Sequence, residues 1–223
     1  MSLKFSYHTL ILLLFTVFIP LFILTMTACS GSVSDTAPSQ SAPPPSSSQP
    51  PPKPSTASPP LKVPTVPFRA DGIATPGEYA GLNKYGDFSI EWSADQEYIY
   101  IYVKAKTTGF VGIGFQGGSR MLNADIVIGY VHDGKITIED AFSTGSNGPH
   151  PSDKELGGTN DILEFAGIEK DGFTSIEFKR KLITGDKYDV PMNKGVNIII
   201  WAFGSADSLQ MQHVVRGYGE INL

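Results

Sequence analysis

The chain has 223 residues with 17 basic and 22 acidic side chains, a net charge of −5, and a single cysteine. No basic stripe is present, which argues against nucleic acid or anionic headgroups as partners. One thiol allows no internal disulfide, no CxxCH attachment of c-type haem and no cysteine-based zinc site.

Lys4 is the only charge before an almost unbroken apolar run from Leu10 to Met26, which closes on Thr27-Ala28-Cys29-Ser30-Gly31. A charged start, an apolar middle and a small-residue cleavage context have the order of an export signal over residues 1–28. Small residues directly before Cys29 resemble the lipobox of prokaryotic lipoproteins, which implies that Cys29 is lipidated and becomes the mature N-terminus. Met26 departs from the Leu commoner there, and the alternative is an uncleaved signal-anchor helix. Both readings place the remainder of the chain at the extracytoplasmic face of the cell membrane. Residues 29–67 carry twelve of the seventeen prolines and, from Ser30 on, no aromatic residue. This composition predicts a disordered tether with polyproline II stretches.

Residues 68–223 are of single-domain size. Their apolar pattern has the period of strands. Phe88, Ile90 and Trp92 alternate with Ser89 and Glu91, and 98–103 puts Tyr98, Tyr100 and Tyr102 on one face with Ile99, Ile101 and Val103 on the other. Further strands are predicted over 110–115, 125–131, 135–142, 162–168, 173–179, 196–203 and 220–223. Asp133-Gly134 and Asp171-Gly172 read as tight hairpin turns. The expectation is an all-β, antiparallel, immunoglobulin-like sandwich.

No HExxH, G-x-S-x-G, P-loop or dinucleotide-binding motif occurs, and an electron carrier or binding module is expected rather than an enzyme. The acids Glu139, Asp140, Asp186 and Asp189 read as solvated surface charge. Beyond the signal there are three histidines. His132 and His150 are expected in exposed loops, whereas His213 stands just before the last strand. Met192 and Met211 read as ordinary packing. Met121 follows Gly117-Gly118-Ser119-Arg120, a context that core filling explains poorly.

The run Gly109-Phe110-Val111-Gly112-Ile113-Gly114-Phe115, then Met121-Leu122-Asn123-Ala124-Asp125 entering 126–130, resembles the centre of a DOMON domain. Phe178-Lys179-Arg180 with Asp186, Ile200-Trp201-Ala202-Phe203-Gly204, and His213 with Arg216-Gly217 come next, in that family's order. Ala70-Asp71-Gly72-Ile73 with Pro76-Gly77-Glu78-Tyr79 resembles the start of bacterial and archaeal members. The resemblance spans nearly all of 68–223.

DOMON domains are β-sandwiches that bind haem or sugars, and this chain resembles the haem b cytochrome domain of cellobiose dehydrogenase. The resemblance implies a non-covalent haem b whose iron is held by Met121 and His213, with Arg216 against a propionate. It also implies one-electron exchange with a redox partner protein or a membrane electron-transfer chain. Met211, two residues from His213, lies on the same side of an extended segment and is the poorer second ligand. The alternative is a carbohydrate-binding module without haem, with the three tyrosines of 98–103 as its platform.

Overall fold

The computed structural model describes residues 64–115 and 120–223. The export signal, Cys29, the tether up to Val63, and Gly117, Gly118 and Ser119 lie outside the described residues.

Ten strands form two five-stranded antiparallel sheets: β1 (Gly81–Tyr85), β2 (Phe88–Ala94), β3 (Tyr98–Ala105), β4 (Val111–Phe115), β5 (Asp125–His132), β6 (Lys135–Phe142), β7 (Glu164–Lys170), β8 (Phe173–Lys181), β9 (Val196–Phe203) and β10 (Val215–Asn222). The first sheet runs β1-β2-β3-β8-β7 and the second β10-β9-β4-β5-β6. No helix occurs among the described residues.

Alternation decides which side chains meet between the sheets. Phe88, Ile90 and Trp92 of β2 join Ile99, Ile101 and Val103 of β3 and Ile176 and Phe178 of β8. Val111, Ile113 and Phe115 of β4, with Ile199, Trp201 and Phe203 of β9, close on them from the second sheet. Burying each such side chain contributes roughly 1.5–3 kcal/mol. Trp201 stacks on Phe88 at 4.7 Å and on Tyr85 at 5.6 Å.

Both expected hairpin turns are present. Asp133 and Gly134 have φ of 49° and 72°, and Asp171 and Gly172 have 53° and 76°, the left-handed pair that suits a two-residue hairpin. The last strand is longer than the sequence pattern suggested, since β10 begins at Val215 rather than 220. Arg216 and Gly217 therefore lie within it and pair with Ala202 and Trp201 of β9. A Cβ at Gly217 would collide with the Trp201 indole, so glycine there makes room for a core ring.

The chain enters across the outer face of the first sheet. Thr65 and Val66 donate backbone N–H groups to the Gly77 carbonyl at 2.7 and 3.1 Å. The Asp71 and Gly72 N–H groups both reach Glu177 Oε2 at 2.8 Å, and the Tyr79 hydroxyl donates to Glu177 Oε1. Phe68 packs on Tyr100 with centroids 4.8 Å apart, and Tyr79 packs near Tyr102 at 6.2 Å.

Candidate functional site

The second sheet turns a different face outward. On β4, Val111, Ile113 and Phe115 point into the core, so Gly112 and Gly114 point away from it. Ile126 and Ile128 of β5 and Ile200 and Ala202 of β9 flank those glycines. Together these residues form the floor of a cleft of about 380 Å³, within the roughly 300–1,000 Å³ of small-molecule and cofactor sites. The glycines keep that floor low. A Cβ at Gly114 would stand 2.7 Å from Ile200 Cγ1, and one at Gly112 would meet Ile128 Cγ1 at 3.4 Å.

Several segments wall the floor, and three of them carry the residues that the sequence singles out. The turn before β5 brings Arg120 and Met121, the segment before β10 brings Met211 and His213, and β10 itself brings Arg216 and Tyr218. Met121, His213 and Arg216, up to 95 residues apart in the chain, thus share one cleft.

Local bonding fixes the Met121 turn. Arg120 and Asn123 have φ of 61° and 59°, left-handed positions that asparagine tolerates better than most residues. The Met121 carbonyl accepts from Ala124 N at 2.9 Å, and Asn123 N donates to the Ser143 carbonyl at 2.9 Å. Arg120 Nη1 reaches Asn147 Oδ1 at 2.6 Å, tying this turn to the next wall.

That wall is the segment from 143 to 151, and it corrects the expectation for His150. Thr144 N donates to the Pro149 carbonyl and Phe142 N to the Pro151 carbonyl, both at 3.1 Å. The segment therefore folds back over the sheet, and His150 is half-buried in the cleft rather than exposed. His132 is exposed as expected, with Nδ1 2.7 Å from Asp207 Oδ2.

The electrostatics favour uncharged imidazoles. Burial lowers the pKa of His213, and the positive charge of Arg216 pushes it in the same direction. Burial also lowers that of His150. Both rings are therefore neutral around pH 7, with nitrogen lone pairs available to a metal. Met211 is largely exposed at the rim. The cleft combines thioether and imidazole donors on separate walls, guanidinium groups and a flat apolar floor.

Two other expectations change. The Tyr98, Tyr100 and Tyr102 face is not a free platform: Phe68 and Tyr79 cover part of it, Tyr102 is buried, and Lys179 Nζ sits 4.5 Å above the Tyr98 ring. Asp140 and Asp189, expected on the solvated surface, are buried with Asp125 around the Arg180 guanidinium. Asp125 is 2.9 Å from Arg180 Nη1, and Asp189 is 3.8 Å from Nη2.

A family model described as DOMON domain matches residues 84–204, more than half of the chain. The match takes in Met121 and ends before His213 and Arg216. The human DBH-like monooxygenase protein 1 is 32% identical over 127 residues, 57% of this chain and 20% of that protein. MOXD1 homolog 1 of Drosophila melanogaster is 28% identical over 153 residues, 64% of this chain and 21% of that protein. The chain thus spans about a fifth of the length of these curated relatives. Among solved structures, the cytochrome b domain of pyranose dehydrogenase from Coprinopsis cinerea aligns with a TM-score of 0.45 at 17% identity, covering 60% of this chain and 76% of that one.

Proposed function

The chain belongs to the DOMON family, and from that premise we propose that it is an extracytoplasmic, membrane-anchored b-type cytochrome holding one non-covalent haem in the cleft of the second sheet. The observation that carries this reading is the convergence of Met121, His213 and Arg216 on one glycine-floored cleft. The donor set fits the group. A thioether and a neutral imidazole from separate segments are donors of the kind that would hold a haem iron. A floor in which a Cβ at Gly114 would crowd Ile200 leaves room for a flat ring. Haem, when bound, supplies a one-electron redox centre.

The chain's own residues bind and orient. His213 and Met121 would hold the iron, and burial together with Arg216 favours the unprotonated imidazole. Arg216 at the cleft edge can pair with a propionate through two parallel N–H donors. Arg120, held by Asn147 of the 143–151 segment, adds a second positive charge to the rim. A haem held by both Met121 and His213 would supply electron transfer. The assignment is therefore to electron exchange with a redox partner protein or a membrane chain, although the curated relatives are named as monooxygenases. The sugar-binding alternative has less support, because its tyrosine face is covered from within the chain.

The test is the absorbance of the protein expressed with ample haem. The parent should show a low-spin Soret band, His213→Ala should lose stable haem, and Met121→Ala should bind carbon monoxide readily. His150→Ala should keep the parent's spectrum. A colourless parent retained on polysaccharide, or low-spin spectra in both ligand variants, would overturn the assignment. The anchor rests on Cys29 and has its own test: Cys29→Ala should shift from the processed to the unprocessed size and lose incorporation of labelled fatty acid. If neither changes, an uncleaved signal anchor replaces lipidation.

A further inference from the structure

At one end of the sandwich the space between the sheets is filled with acids. Asp125 begins β5, Asp140 lies near the end of β6, and Asp189 comes from the segment after β8. One carboxylate oxygen from each lies within 4.8 Å of the others. Asp153, from the segment after β6, is fully buried beside them. Its orientation is imposed by the backbone, because Asp153 N donates to the Asp140 carbonyl at 3.0 Å and Gly158 N donates to the Asp153 carbonyl at 2.7 Å.

The only cation buried among these groups in the described residues is Arg180. It is used chiefly on Asp125, which also accepts the Val190 N–H at 2.8 Å. Asp140 Oδ2 accepts the Asp161 N–H at 2.7 Å. The other oxygens lack hydrogen-bond donors, and Asp189 Oδ1 has only the 3.8 Å approach of Arg180 Nη2. Asp140 Oδ1, both oxygens of Asp153 and both oxygens of Asp189 are buried without a hydrogen-bond partner among the described residues. Asp153 is the independent pointer, since it stands outside the close triad, is wholly buried, and has the other three aspartates as its strongest like-charge neighbours. Four carboxylates against one guanidinium leave an excess of negative charge that burial makes expensive.

We propose that Asp140, Asp153 and Asp189, with Asp125 shared with Arg180, form a site for one calcium-class divalent cation that joins the segments following β6 and β8. The chemistry selects the ion class. The available donors are all oxygens, which suits a hard cation and not copper or zinc. Calcium accepts six to eight oxygens in flexible geometry, including backbone carbonyls and water, which matches acids drawn from loops better than the rigid octahedron of magnesium does. A cation would satisfy orphan oxygens from three segments at once, whereas protons would neutralise them singly and join nothing. Asp153 lies three residues beyond His150, so the ion would also anchor the wall of the cleft. The site is independent of haem and is read on protein that carries none.

The experiment is calorimetric titration of calcium chloride into the chelator-treated, haem-free full chain, with thermal melts alongside. We expect one calcium per chain and a melting temperature raised by several degrees. Asp153→Asn combined with Asp189→Asn should abolish binding while raising the melting temperature of the calcium-free protein, because it removes unbalanced charge. The absence of binding heat and of any thermal shift at millimolar calcium would overturn the proposal. So would undiminished binding by the double variant. The native-protein titration decides the matter even if the double variant does not fold.

Discussion

Gly114 shows how much one absent side chain can govern. It sits mid-strand in β4, hydrogen-bonded between β5 and β9, and its Cα faces the cleft. Valine at that position suits a strand, yet its Cβ would press on Ile200 Cγ1 at 2.7 Å and Ile126 Cγ1 at 3.3 Å. Those side-chain ends can yield only toward the cleft. Gly114→Val should therefore keep the circular dichroism of a sandwich, cost about 1–3 kcal/mol in stability, and lower the haem absorbance per protein several-fold. Full haem loading by this variant would show that the flat floor is not what admits the ring.

At the level of strands and loops, the sequence was readable where period two was unbroken and obscure where the third dimension supplied the reason. Strands β2, β3 and β6 follow directly from their alternation. β1 and the first half of β10 do not, because Gly81, Gly217 and Gly219 face Trp92, Trp201 and Tyr85. A glycine under an aromatic ring carries no apolar signature of its own. The buried acids are a mixed case. Asp140 shares the parity of Ile136 and Ile138, and Arg180 that of Ile176 and Phe178, so alternation already aimed both inward. Asp153, Asp189 and His150 are in loops, and their burial follows only from how those loops fold back. Met121 and His213 were singled out by the family resemblance, and the fold brings both to one cleft.

Taken as a whole, the molecule concentrates its buried negative charge at one end, and this should show in its stability. Burial raises the pKa of Asp140 to about 7 and that of Asp153 to about 8, and for Asp153 the neighbouring aspartates add to the effect. Both groups titrate near 3.9 in the unfolded chain. A carboxyl whose folded pKa is raised contributes stability that is complete below the unfolded value and is lost as pH rises through the folded one. The melting temperature of chelator-treated protein should therefore fall between about pH 5 and about pH 8.5. A flat or rising profile over that interval would mean that these acids are ionised without penalty.

The entering segment has one more consequence. Residues 65–79 are fastened to the outer face of the first sheet, through Glu177 and the tyrosine row, whereas the cleft opens on the outer face of the second. The segment and the cleft therefore occupy opposite outer faces of the sandwich, and neither covers the other. Substitutions in residues 65–79 should accordingly loosen the outer face of the first sheet while leaving the floor of the cleft as it is.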